Sequence, residues 1–370
     1  MKKYLIILLT YFMSIQIGNT ATFCVTTSAE LNAAMLTASV NSQDNHIKIE
    51  TGTYVVESGF LRGTYTYIAT ESFDLEISGG WSEFFNEPCG QNLGGSPFLT
   101  ILDGGELFRI MHVEPGVNAD VTISGLYFAN GKAIEVIEKG AGLDLIIPDG
   151  ATGDILIERN AFINNHAWAI GALRIEGGSK VDIKNNLFLL NTSDSGFSVV
   201  NIAQNNDNGY GVYFINNTVI LNSGGAYFNV RGPSQAMIVN NIFWDNVEAD
   251  LGLIGNGYKY LKNNNIGIQS YIGNSSQTHA DVRSGNISSE TLFESGLFNF
   301  TPSVNSELVS HGIKTGPIIP VPITFQYDWN IGTLDFSGNT RNQGSQVDIG
   351  AYESSHESWI ETPIFKDGFD

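Results

Sequence analysis

Between residues 121 and 266 the chain repeats one short phrase of apolar and polar positions. An alternating pair, Ile155/Ile157, is followed by Asn160 at plus three, Phe162 at plus five and Asn165 at plus eight. The same spacing starts from Ile183 (Asn186, Phe188, Asn191), from Phe214 (Asn217, Val219, Asn222) and from Ile238 (Asn241, Phe243, Asn246). Ile123 begins an earlier copy that keeps Leu126, Phe128 and Gly131, and Leu261 a later one with Asn264, Ile266 and Gln269. Successive copies lie 34, 26, 31, 24 and 23 residues apart. Self-similarity at periods in this range is the signature of a solenoid.

The alternating pairs before each Asn have strand period, not helix period. Each short strand runs into Asn or Gly, residues that tolerate the left-handed backbone of a tight corner. Stacked at the strand spacing of roughly 4.8 Å, equivalent Asn side chains can bond one another in a ladder, while the Ile and Phe positions stack into one core. The pattern therefore predicts an all-β chain: a right-handed single-stranded parallel β-helix with coil-to-coil loops of unequal length. Asn160, Asn186, Asn217 and Asn241 form one expected structural ladder, and Asn165, Asn191, Asn222 and Asn246 a second. Thr27-Ser28-Ala29-Glu30 reads as a capping box. With apolar Leu31, Ala34, Met35 and Ala38 it predicts a short helix over residues 27–40 that covers the first coil. Ile47, Ile49, Tyr54, Leu75, Ile77, Ile101 and Leu102 extend the strands toward the N-terminus.

Composition fits a turn-rich, well-cored chain: of 370 residues 41 are Gly and 10 Pro, with 42% hydrophobic and 15% charged positions. A net charge of −20 argues against nucleic acid, anionic lipid and polyanionic glycans as partners. Lys2 and Lys3 precede an apolar run from Tyr4 to Ile17 and then Gly18-Asn19-Thr20-Ala21, the layout of a signal peptide over residues 1–21. No later run is long enough to span a bilayer. An exported chain with only Cys24 and Cys89 is expected to join them. That bond would restrict the unfolded chain by about 3–5 kcal/mol on the loop-entropy model.

Phe23-Cys24, Gly52-Thr53-Tyr54, Gly79-Gly80-Trp81 with Cys89, and Leu102-Asp103-Gly104-Gly105 together resemble exported bacterial right-handed parallel β-helix repeat proteins. Residues 335–341 (Asp335 to Arg341) and 346–353 (Gln346 to Glu353) resemble the terminal motif of choice-of-anchor Q domain proteins. The resemblance implies a β-helix domain over residues 22–353 closed by a cap motif at 335–353, in which Arg341, Asp348 and Glu353 are structural. Leu308-Val309-Ser310-His311-Gly312 departs from the stretch usual at that place. The tail, residues 354–370, ends in Asp367-Gly368-Phe369-Asp370, similar to short terminal sorting sequences on exported proteins of some Gram-negative bacteria.

The chemistry is sparse. The sequence contains no Asn-Thr-Asp, Asp-Asp, Gly-His-Gly or Arg-Ile-Lys element of the kind pectin-degrading β-helices carry, and no HExxH, P-loop or G-x-S-x-G. No cofactor or metal is expected. The acidic cluster Asp245, Glu248 and Asp250 beside Trp244 is the one place that could hold Ca²⁺, since the Asn205–Gly209 turn lacks the acidic ends of a calcium loop. Those residues with Tyr213 are the candidate binding residues, and Tyr210, Tyr227 and Trp168 are further aromatics able to stack on sugar rings. The expectation is a monomeric, exported or cell-surface rod that binds an extracellular glycan or cell-surface component without catalysis. The alternative is a polysaccharide lyase or glycoside hydrolase of the pectin-lyase-like fold with an unfamiliar site. A carboxylate cluster beside Arg or Lys in a groove would favour the enzyme.

Overall fold

The computed structural model describes residues 20–135, 139–195, 198–205, 209–270, 280–314, 329–341 and 345–356. The apolar leader, residues 206–208 of the Asn-rich turn and the end of the C-terminal tail lie outside the described residues. The described chain winds into a parallel β-helix in which three long sheets take one strand from nearly every turn, with neighbours in sequence order. The first sheet includes Asp154–Glu158, Lys180–Lys184, Gly211–Ile215, Gln235–Val239 and Tyr258–Lys262. The second includes Tyr127–Ala129, Ala161–Ile163, Leu187–Leu189, Thr218–Ile220 and Ile242–Trp244. The third includes Met111–Glu114, Leu143–Ile146, Ile170–Gly177, Ser198–Asn205 and Ala226–Arg231. A small sheet of Lys132–Ala133, His166–Ala167 and Thr192–Ser193 fills the corner between the second and third. The winding is that of a right-handed β-helix, the hand that parallel crossovers adopt.

Register follows the repeat residue by residue. Ile123, Ile157, Ile183, Phe214, Ile238 and Leu261 are partners in the first sheet. Phe128, Phe162, Phe188, Val219 and Phe243 are partners in the second. Phe128, Phe162 and Phe188 stack at centroid separations of 4.7 and 4.9 Å. Where that row has Val219, the first sheet has Phe214 in place of Ile, and its ring continues the stack to Phe243 at 5.8 Å. The large side chain changes sheets and the layer stays full, as a close-packed interior requires.

The left-handed corner residue sits one place before each ladder Asn. Arg159, Asn185, Asn216, Asn240 and Asn263 have φ of 50–57°, and at the next corner Asn164, Leu190, Leu221 and Asp245 have φ of 54–58°. The ladder Asn that follows is buried and uses its amide instead of its backbone freedom. Asn217 Nδ2 donates to Ile183 O (2.8 Å) and Asn241 Oδ1 (3.2 Å), while its own Oδ1 accepts from Asn186 N (3.0 Å) and Asn186 Nδ2 (2.9 Å). The first ladder runs from Asn160 to Asn264 and ends on Asn286.

Thr27 caps the helix Ser28–Ala38, and Glu30 reaches back to the Thr27 amide, closing the capping box. Leu31, Ala34, Met35 and Ala38 are buried in the main core at the N-terminal end. Cys24 and Cys89 are joined, tying the first strand (Ala21–Val25) to a hairpin formed by Leu75–Phe84 and Glu87–Asn92. Among the described residues no helix is long and apolar enough to cross a membrane.

Residues 308–314, 329–341 and 345–353 form a strap along the flank, which corrects the expectation that residues 335–353 close the open end. Its docking groups are the left-handed Asn residues of successive turns. Asn185 Nδ2 donates to Ile331 O (3.0 Å), Asn216 Nδ2 to Asp348 O (3.0 Å) and Asn240 Nδ2 to Ile313 O (2.8 Å). Under it, Trp329, Ile331 and Val347 pack on Tyr213, Ile215, Met237 and Val239 of the first sheet. Phe336, Ala351 and Tyr352 pack on Ala161, Ile163, Leu187, Leu189 and Ile220 of the second. Burying apolar outer faces of two sheets under a returning segment removes surface that water would otherwise meet.

Candidate functional site

With the strap on the first two sheets, the outer face of the third is the open one. Strands there alternate strictly: Leu173, Ile175, Val200, Ile202, Phe228 and Val230 point to the core, and Arg174, Glu176, Asn201, Ala203, Asn229 and Arg231 point out. Glu176, Ala203 and Asn229 are partners across three turns. Because Ala203 stands between two longer side chains, the row sags in the middle. There a polar cleft of about 400 Å³ opens, lined by Glu176, Asn201, Ala203, Asn205, Asn229 and Arg231, with Lys139 and Asp149 from loops. Gly177 at its edge has φ 126°, and a Cβ there would lie 2.2 Å from Ile147 O, so only Gly fits. Two cationic and two anionic side chains share the cleft with amides, so it offers many hydrogen-bond donors and acceptors and no net charge.

One end of the cleft is anchored by a buried charge network. Asp144 is 4% exposed and accepts from Arg174 Nη1 (2.9 Å); Arg109 Nη1 lies 3.5 Å from its other oxygen. His112 bridges Asp144 (Nδ1, 3.1 Å) and Glu114 (Nε2, 2.8 Å). Burial pushes the Asp144 carboxyl up, but the hydrogen bond from His112 and the guanidinium groups of Arg109 and Arg174 outweigh it and hold the group below the usual range. Arg174 also binds Glu176, so the network fixes a cleft carboxylate in place. None of these residues carried a motif. The readable signal was the alternation Leu-Arg-Ile-Glu, Val-Asn-Ile-Ala and Phe-Asn-Val-Arg on consecutive turns.

The sequence-predicted binding residues do not converge. Tyr213 is 4% exposed, packed beneath Trp329 and Val347, and is corrected from a contact residue to a core residue. Tyr227 is likewise buried. Asp250 is 2% exposed and accepts from Asn246 N (2.9 Å), Asn246 Nδ2 (2.7 Å) and Ile268 N (2.6 Å). It therefore terminates the second Asn ladder and belongs to the structure, which corrects its placement in a binding cluster. Asp245 and Glu248 are exposed at left-handed positions, and Trp244 is half-buried against Ile242 and Leu308. Arg341 and Glu353 form a buried pair (2.9 Å), and Asp348 accepts from Ser310 N and Ser354 N (2.7 Å each). Among the described residues, the only group of three metal-type ligands that lies close together is Cys24, Glu50 and Cys89, and its cysteines are in the disulfide.

Near the strap, Asp182 is pushed up to about 6, mainly by burial. Lys184 and Lys180 pull it down less strongly, and Asp154 and Glu158 add to the rise. The folded chain keeps a proton here that the unfolded chain releases from about pH 4 upward. Its contribution is thus full below pH 4 and is lost as pH rises through about 6. The full shift corresponds to about 3 kcal/mol, and partial solvent contact reduces this to roughly 1–2 kcal/mol. Urea melts at pH 4.5 and pH 7.5 are expected to show wild type losing more stability than Asp182→Asn. Equal losses would show that the carboxyl does not titrate in the folded chain as its surroundings dictate.

No family model matches the chain, and no curated protein matches it. Among solved structures, the chain is similar to the crystal structure of pectate lyase Pel9A, with a TM-score of 0.32 and 13% identity, over 90% of this chain and 97% of that one.

Proposed function

We propose that this protein is an exported, non-catalytic β-helix whose third-sheet cleft binds a neutral, hydroxyl-rich glycan. The observation that carries the reading is the cleft itself. It is an open depression on three consecutive strands about 4.8 Å apart, each of which contributes amide or charged side chains, and the charges of its lining cancel. A sugar offers paired hydroxyls that both donate and accept, which amide and carboxylate side chains match and a point charge does not. The basic-apolar leader and the Cys24–Cys89 disulfide support export into an oxidising compartment. A second reading, polysaccharide cleavage, is favoured by the Asp144–Arg174–Glu176 network beside the cleft. Against it, Asp144 and Arg174 are engaged in pairing with one another.

Calorimetric titration of the mature protein with neutral and acidic oligosaccharides tests the proposal. Asn201→Ala and Asn229→Ala are each expected to weaken binding about tenfold, the loss of one hydrogen bond of about 1.4 kcal/mol. Release of reducing or unsaturated ends from any glycan would establish the enzyme reading in its place.

A further inference from the structure

We propose that the corner between the second and third sheets is a second sugar subsite, with Trp168 as the platform for one ring and the adjoining depression receiving that ring's hydroxyls. The proposal rests on the glycan-binding reading and adds to it a second point of attachment.

Three observations carry it. First, Trp168 is 41% exposed, although the indole is the largest apolar side chain and ordinarily goes inside. Its backbone is locked: Trp168 N donates to Ala133 O (3.0 Å), and Ser195 N donates to Trp168 O (2.8 Å). Ala133, Ala141 and Ala167 are fully buried beneath the corner. The ring is thus presented on a fixed base, and a ligand meeting it pays little ordering cost.

Second, His166 lies two residues earlier, in the short strand His166–Ala167 that ends just before Trp168, and lines a depression of about 210 Å³ with Glu106, Lys132, Asn164 and Thr192. Lys132, His166 and Thr192 are register partners on consecutive turns, and Asp194 holds His166 Nε2 at 2.7 Å. The depression is smaller than the roughly 300 Å³ of ordinary drug-sized pockets, so it suits one ring and not a chain. Third, its lining mixes Glu106 with Lys132 and adds an amide and a hydroxyl, a set that suits a neutral polyol. Apolar ring hydrogens on an indole face, with hydroxyls held at its side, is the contact this arrangement can make.

Trp168 and Glu176 are eight residues apart on one turn, a span of at most about 26 Å around the corner. A glycan of several rings can reach from the platform to the cleft, and the second contact then acts at a high effective concentration.

The test uses the mature chain with neutral cello-, xylo- and manno-oligosaccharides from two to eight rings, read by calorimetry and by tryptophan fluorescence. Trp168→Ala is expected to weaken the longest ligands about tenfold, to leave the shortest cleft-binding ones unchanged and to abolish the fluorescence response. Trp168→Phe is expected to retain most of the affinity. Far-UV circular dichroism checks the fold of both variants. If Trp168→Ala binds every length like wild type while Asn201→Ala and Asn229→Ala weaken binding, the corner proposal is overturned and the cleft stands. If Trp168→Ala abolishes binding and the cleft variants do not, the corner stands and the cleft reading falls. Failure of the wild-type chain to bind any of these sugars overturns both.

Discussion

Replacing Asn217 with Leu is expected to cost on the order of 5 kcal/mol, comparable with the whole stability of an ordinary domain. Asn217 is fully buried, and Leu is close to it in volume, so the loss comes from hydrogen bonds and not from a cavity. The substitution removes the acceptor for Asn186 N and Asn186 Nδ2 and the donor to Ile183 O, Ile215 O and Asn241 Oδ1. Ile183 O and Asn186 N are then left in the interior, at about 1–3 kcal/mol each, with no water to replace the amide. The effect spreads because Asn186 in turn orients on Asn217, and each rung sets the next. Asn164→Ala at an exposed corner, where the side chain makes one bond to Asn130 (2.7 Å) and the backbone is left-handed (φ 58°), is expected to cost only about 1–2 kcal/mol. Urea melts of the two variants separate these cases. An Asn217→Leu chain that melts like wild type would show that the ladder is ornamental.

That ladder was legible because it is local and repeated: Asn at plus three and plus eight recurs where the apolar register recurs, and one physical requirement produces both. What the repeat could not reveal was how far its corners reach. Asn185, Asn216 and Asn240 look like ordinary left-handed turn residues, yet each donates to a segment about 70–150 residues later. Tyr213 occupies an outward strand position and so reads as exposed, until a distant segment covers it. Asp250 looked like one of several loop carboxylates, and it is the residue that ends a ladder where the next turn supplies Gln269 and no Asn. The cleft was hidden for a different reason. Glu176, Ala203 and Asn229 stand 27 and 26 residues apart, but they are three different residue types, so no repeated residue marks the row and only the pairing of the strands aligns them.

The strap decides which face is free for a ligand, so its attachment links fold to function. Arg341→Met is expected to release it at a cost of about 3–5 kcal/mol, the range for removing one partner of a buried ion pair. Arg341 is fully buried; it donates to Asn185 Oδ1 (2.8 Å), Tyr352 O (3.0 Å) and Glu353 Oε2 (2.9 Å), and also to Gly350 O. Burial already pushes Glu353 up to about 7 against the pull of Arg341. Without the guanidinium the carboxyl rises further and takes up a proton more readily, because a neutral acid is less costly to bury than a lone charge. The variant should therefore be closest to wild type in acid and fall further behind as pH rises through 7. Coils in a stack owe their stability mainly to their neighbours, so the turns beneath should survive when the strap lifts. The expected signs are a red shift of tryptophan emission as Trp329 leaves the first sheet, and early chymotryptic cuts near Phe336 and Tyr352. Addition of Glu353→Gln should restore part of the lost stability at neutral pH. A single melting transition at the wild-type midpoint at every pH would mean that the strap is held by its apolar contacts alone.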